Sequence, residues 1–178
     1  MSQKLFESVL VNSATSYADC ERYQFGFKAR HSTGISTKSF KQTVDYYVNR
    51  GSHVFCSFID FNEAFDSVNY WQLFSKLLDD NIDANVAGTL AYWYSNQQIC
   101  VRWLDSTSNY FTIGNGTRQG SVLSPYLFCR YIRELLAELS CSGIGCNIGG
   151  MVVNVLAYAD DLVLLALSWR ALQQLLDI

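Results

Sequence analysis

The sequence predicts an α/β (α+β) fold, a mainly antiparallel sheet with helices packed on one side. Three observations predict it. Stretches of helical periodicity alternate with short β-branched and aromatic runs. Two of those runs end or turn at acidic residues, in "FID" and "YADD". A Ser124-Pro125 pair opens the longest amphipathic stretch, a standard helix start. At 178 residues, 49% of them apolar and 15% aromatic, the chain is one domain or a fragment of a larger one with a real core. A single proline and scattered glycines give no linker.

Residues 3–11 read as a helix, with Leu5, Phe6, Val9 and Leu10 on one side. "ERYQFGFKARHSTG" reads as a loop or short extended piece punctuated by Gly26 and Gly34. Residues 35–50 carry helical spacing at Phe40, Val44, Tyr47 and Val48, with Gly51 as the stop. "HVFCSFID" is a strand ending on Asp60. Helices follow at residues 70–78 and 84–95. "ICVRWL" and "NYFTI" look like paired strands. In "LSPYLFCRYIRELLAELS", Ser124 can cap and Pro125 fits the first helical position. Strands are expected around residues 144–148 and 152–167, and "WRALQQLLDI" reads as a last helix.

The start, "MSQKLFESVLVNS", lacks the basic and apolar regions of a signal peptide. No apolar run is long enough to span a membrane, so no membrane partner is expected. The six cysteines include no CxxC and no histidine at zinc-ligand spacing. Buried reduced thiols and an intracellular site, nucleus or cytoplasm, are the expectation. Net charge is −3, but its distribution is uneven. Six basic residues from Arg22 to Arg50 face a single acid, Asp45, while the rest of the chain is acidic. Such a basic segment suits phosphates, or is simply a solvated helix face.

Asp160 and Asp161 sit between two apolar runs. They are either the wet tip of a hairpin or ligands of a divalent cation that offsets their repulsion. Asp60, at the end of another apolar strand, favours the second reading. Carboxylates from two sequence-distant strands can build a two-metal centre for in-line phosphoryl transfer. Magnesium suits it, since that ion uses a few carboxylates and keeps several waters.

"QFGFKARHST", "FIDFNEAFDSV", "NGTRQGSVLSPYLF" and "LAYADDLVLL" resemble, in that order, the motifs of reverse transcriptases of non-LTR retrotransposons of the jockey-like kind. The resemblance covers nearly the whole chain. It implies a partial reverse transcriptase domain over residues 1–178, with a fingers-like segment at 1–52 and a palm with fingers insertions at 53–178. The palm would be a sheet of the split βαβ kind. The chain stops just after "YADD", so the thumb and endonuclease regions of a full element are expected to be missing, and the isolated chain is expected to be weak or inactive in polymerisation.

The implied activity is RNA-directed DNA polymerisation, with an RNA template, a DNA primer and deoxynucleoside triphosphates as partners. Two magnesium ions, with manganese as a substitute, would be held by Asp60, Asp160 and Asp161. Substrate-binding roles fall on Lys28, Arg30, Phe61, Ala64, Phe65, Gln119 and Gly120. Phe65 matches the steric gate that leaves no room for a ribose 2′-hydroxyl. Lys28 and Arg30 match cations that meet the triphosphate, and the backbone of Phe61 lies beside Asp60. Gln119 and Gly120 match a loop against the nucleotide and template.

There are departures. Lys28 stands where arginine is usual, and Arg30 where glycine is common. Cys129 and Arg130 replace residues expected to be half-buried. An inert or domesticated remnant that at most binds nucleic acid is the alternative from another class. A viral RNA replicase or an intron maturase is a weaker one, and Phe65 and "YADD" disfavour the replicase.

Overall fold

The structure is a computed structural model that describes residues 23–28, 31–118 and 120–178. The helix expected at residues 3–11 lies outside the described residues. Along the chain run α1 (Thr33–Val48), β1 (Phe55–Asp60), α2 (Tyr70–Asp79) and α3 (Ala84–Ser95). Four short strands follow: β2 (Gln98–Ile99), β3 (Arg102–Trp103), β4 (Ser106–Thr107) and β5 (Phe111–Thr112). Then come α4 (Ser124–Cys141), β6 (Cys146–Ile148), β7 (Met151–Val153), β8 (Val155–Tyr158), β9 (Asp161–Ala166) and α5 (Trp169–Leu176). The described residues form two compact units. One spans Glu63–Tyr131, and the other joins residues 23–62 to Ile132–Ile178.

The second of these units is built on an antiparallel sheet of order β1-β9-β8. One face carries Ile59, Leu162, Leu164, Ala166, Val155 and Ala157 onto Leu136 and Leu139 of α4 and Leu175 of α5. The other face carries Leu156, Val163, Leu165 and Cys56 against Phe40 and Tyr47 of α1. Helices therefore cover both faces, not one. The cause is legible in β9, whose "LVLL" run is apolar at successive positions and so must be buried on both sides. Helix α1, which falls in the fingers-like segment expected at residues 1–52, packs Phe40 and Tyr47 onto this sheet. The turn that closes it reaches Gly51, whose φ of 75° is easy for glycine, while Gly51 and Ser52 donate to Val48 and Tyr47 carbonyls.

Asn154 splits the expected 152–167 strand. It is fully buried, and its amide donates to the carbonyls of Leu139 (2.5 Å) and Ile144 (2.8 Å). Those carbonyls sit in the last turn of α4 and just beyond it, where a helix leaves acceptors without intrahelical partners.

In the unit spanning Glu63–Tyr131, α2 and α3 start on capping side chains. Asn69 accepts from the Gln72 amide (3.1 Å), and Asp83 accepts from the Asn85 amide (2.8 Å). Tyr70 and Phe74 of α2 meet Tyr94 of α3 with ring centroids 5.3 and 6.1 Å apart. The expected pairing of "ICVRWL" with "NYFTI" holds only at its outer end, where Gln98 and Ile99 pair with Thr112 and Phe111. Arg102 and Trp103 instead fold back on Thr107 and Ser106. A tight turn at Leu104, in the left-handed region at φ 52°, captures them first.

Ser124 does not cap α4. Its hydroxyl donates to the Arg118 carbonyl at 2.6 Å. Arg130, unexpected at a buried position, is only 5% exposed and forms an ion pair with Asp80. Its guanidinium also donates to the Lys76 carbonyl at 2.7 Å. Two donors on one carboxylate plus a backbone acceptor satisfy a charge that burial would otherwise penalise heavily.

Candidate active site

Strand β1 ends at Asp60 and strand β9 begins at Asp161, and the two residues are directly paired in the antiparallel register. Directly opposed residues share one face of a sheet, so both carboxylates leave on the same side. Both residues are exposed. Tyr158 pairs with Asp161 on the next strand, which leaves Ala159 and Asp160 as a two-residue turn. Ala159 has φ 58°, a left-handed conformation that a side chain with a Cβ rarely adopts. Asp160 is half-buried within that turn.

A cleft of about 370 Å³ opens on this face, lined among others by Thr33, Ser36 and Thr37 of α1 and by Asp60, Tyr158 and Asp161. Hydroxyls from the first turns of a helix thus border the same space as two carboxylates. A helix N-terminus carries free N–H groups and a partial positive charge, which favours anions.

The expected trio does not gather into a tight cage. Among the described residues, no three His, Cys, Asp or Glu side chains come close enough to enclose an ion. Asp60 and Asp161 lie abreast, with Asp160 one residue earlier in the turn. Like charges hold such groups apart. The donor set still fits magnesium, which takes one or two carboxylates and fills its remaining positions with water and phosphate oxygens.

Other expected residues are spread over both units. Phe61 is half-buried and packs against the core under the sheet. Lys28 is half-buried, and its carbonyl accepts from the His31 amide at 3.2 Å. Arg30 and Gln119 lie outside the described residues. Ala64, Phe65 and Gly120 belong to the other unit. There Ala64 is half-buried, and the Phe65 ring lies 4.6 Å from that of Phe128 on α4. Gly120 is exposed at φ 76°, and a Cβ on it would meet nothing within 4 Å. Its conformation, not crowding by this chain, calls for glycine.

The sequence assigned no contact to Arg118 and no role to Gln24. Arg118 donates to Gln97 Oε1 at 2.5 Å and lies over the Trp93 ring, 4.9 Å from its centroid. Gln24 is buried and hydrogen-bonds the backbone of Ala159. The signal that could have found it was a polar residue beside a glycine in "QFG", with no strand or helix pattern to explain either.

The family model described as reverse transcriptase (RNA-dependent DNA polymerase) matches residues 1–178. The chain belongs to the reverse transcriptase family. It is 36% identical over 109 residues to a retrovirus-related Pol polyprotein from the type-1 retrotransposable element R2 of Popillia japonica, covering 60% of this chain and 15% of that protein. It is 32% identical over 119 residues to the Pol polyprotein of the R2DM element of Drosophila melanogaster, covering 67% of this chain and 11% of that protein. Among solved structures, the apo telomerase of Candida tropicalis, truncated from its C-terminal domain, superposes with a TM-score of 0.61 at 12% identity. That match covers 97% of this chain and 35% of the telomerase, and it supports a palm-type fold. This reverse transcriptase domain thus spans a small part of the length of its curated relatives. The family generally uses divalent metal ions. Among the described residues, no helix is long and apolar enough to cross a membrane.

Proposed function

We propose that this reverse transcriptase domain houses the catalytic centre of a retrotransposon RNA-directed DNA polymerase. It would add deoxynucleotides to a DNA primer 3′ end on an RNA template. The observation that carries this reading is the facing pair Asp60 and Asp161 at the end of the β1–β9 ladder, beside the turn that bears Asp160. Asp60, Asp160 and Asp161 would hold two magnesium ions, or manganese in their place. Bound there, the ions would acidify the primer hydroxyl and neutralise charge on the triphosphate and the leaving pyrophosphate.

The chain's own groups do the remaining work. The hydroxyls of Thr33, Ser36 and Thr37 and the start of α1 border the carboxylate cleft and suit an anionic substrate. Lys28 and Arg30 add positive charge for the triphosphate, with Lys28 giving a point charge in place of a bidentate grip. The backbone of Phe61 lies next to Asp60, and Ala64 precedes the gate. Phe65, held against Phe128, excludes a 2′-hydroxyl, and Gln119 with Gly120 support the nucleotide and template.

The test is single-nucleotide extension of a DNA primer annealed to RNA, with magnesium. Asp160→Asn should reduce turnover by at least about 10²-fold, the scale set by losing one preorganised electrostatic group. Extension that survives Asp160→Asn unchanged would overturn the assignment.

A further inference from the structure

We propose that Gln24 is a positioning residue that holds the acidic turn in its working shape. The proposal rests on the polymerase reading for its functional consequence, but not for its geometry.

The residues around Gln24 run alongside β8 in parallel. The Ala157 amide donates to the Tyr23 carbonyl at 2.9 Å, and the Phe25 amide donates to the Ala157 carbonyl at 2.7 Å. This bridge sets Gln24 beside the end of the hairpin. The residue is 1% exposed, and both polar atoms of its side chain are engaged. Oε1 accepts from the Ala159 amide at 2.9 Å and from the Gly26 amide at 2.8 Å, while Nε2 donates to the Ala159 carbonyl at 3.0 Å. One side-chain amide therefore grips both backbone polar groups of a single residue, 135 positions away in sequence.

The gripped residue is the strained one. Ala159 sits at φ 58° in a turn where glycine would be the easy choice. Isolated backbone at such a value tends to relax, and it persists where the surroundings over-determine it. The Ala159 carbonyl belongs to the peptide plane that leads directly into Asp160. Fixing that carbonyl fixes the plane from which the Asp160 side chain departs.

Gly26 completes the cradle. A Cβ there would collide with the Ala159 amide nitrogen, so the approach of the two segments requires a bare backbone. The "QFG" segment thus supplies both the clamp and the clearance. Gln24 touches no reacting atom in this arrangement and acts only through the turn.

The test uses three variants of this chain. In Gln24→Leu both grips are lost, and amide hydrogen exchange at Ala159 should accelerate at least about tenfold, while the amides of Leu162 and Val163 inside β9 keep their protection. In Gln24→Glu the acceptor stays and the donor goes, so the Ala159 amide should remain protected. This variant also covers the case in which Gln24→Leu fails to fold. In single-nucleotide extension, kcat should fall by about 10–100-fold in Gln24→Leu with the deoxynucleotide KM within about twofold, the pattern of lost positioning. Adding Ala159→Gly to Gln24→Leu should restore part of kcat, because glycine holds a positive φ unaided. Unchanged exchange at Ala159 in Gln24→Leu overturns the clamp. Normal kcat despite accelerated exchange overturns its positioning role. A full-length element carrying this domain but showing no Asp160-dependent extension would refute the polymerase reading, and the exchange experiment would still decide the clamp.

Discussion

Asp60 and Asp161 stand directly opposite one another across β1 and β9, both on one face of the sheet and both at its end. Without a cation, opposed like charges destabilise a strand pair. Asp60→Asn should therefore raise metal-free stability by about 0.5 kcal/mol. The same change should abolish thermal stabilisation by manganese and reduce extension by about 10²–10³-fold. Thermal unfolding with and without the ion checks the first two, and a metal response equal to that of the parent would sink the idea.

Phe65 offers a second test. Phe65→Ala should admit ribonucleotides while leaving deoxynucleotide use largely intact. Its ring rests on Phe128 at 4.6 Å, so Phe128→Ala should loosen discrimination in the same direction but less. Competition between ribo- and deoxynucleotides in single-nucleotide extension measures both. Equal discrimination by Phe65→Ala and parent refutes the gate.

The Arg130–Asp80 pair predicts a stability effect. Asp80→Ala removes a carboxylate that accepts two hydrogen bonds from a buried guanidinium and should cost about 3–5 kcal/mol. Removing both partners, as Asp80→Leu with Arg130→Met, should restore most of that loss. Denaturant unfolding of the parent, the single and the double variant gives the comparison.

Cysteine chemistry gives a pH prediction. Burial pushes the Cys146 thiol from its ordinary 9.0 up to about 11, and neighbouring Cys56 adds to the rise. Because the folded value is raised, the stability tied to the neutral thiol is complete below pH 9 and lost as pH climbs through about 11. Alkylation followed by mass spectrometry at pH 8 should label exposed Cys141 well before buried Cys146. Simultaneous labelling of both would contradict the burial.

Nucleic-acid binding should depend on salt. Lys28, Arg30, Lys38 and Lys41 sit in the one basic stretch of an otherwise acidic chain. Affinity for a primer–template should fall steeply from low to physiological salt, and Lys38→Ala with Lys41→Ala should flatten the slope by about two phosphate contacts. Fluorescence anisotropy across a salt series is the measurement.

Local signals set most boundaries, although the Ser124 hydroxyl, expected to cap α4, donates to the Arg118 carbonyl instead. Helix α3 begins and ends where expected, at Ala84 and Ser95, and the structure adds the Asp83 cap that fixes its start. The "YADD" hairpin was legible locally as well, since two apolar runs flank a short polar pair. Features built from distant partners were not legible. The grip of Gln24 on Ala159, the pairing of Arg130 with Asp80 and the donation of Asn154 to Leu139 each depend on which segments meet in space. Arg130 is instructive: read alone it looks like a damaged core position, and only Asp80 reveals it as satisfied. The failure at Arg102 and Trp103 has a different cause, a nearby tight turn that outcompetes a longer pairing.

The register of β1 with β9 also has a consequence in time. β1 is complete at Asp60, but its sheet partner among the described residues begins about a hundred residues later, at Asp161. At roughly 5–20 residues per second of synthesis, the ribosome needs about 5–20 s to supply that partner. During that interval the strand "FCSFID" can rest on Phe40 and Tyr47 of α1 but lacks its β9 ladder, and Phe58 stays 72% exposed even in the finished sheet. A short apolar strand with open edges invites pairing between nascent chains. The carboxylate at its end acts as a gatekeeper, because stacking copies in register would bring like charges together. Asp60 thus serves the newborn chain before any substrate arrives, and its replacement by a neutral residue should lower soluble yield during expression even as it steadies the folded sheet.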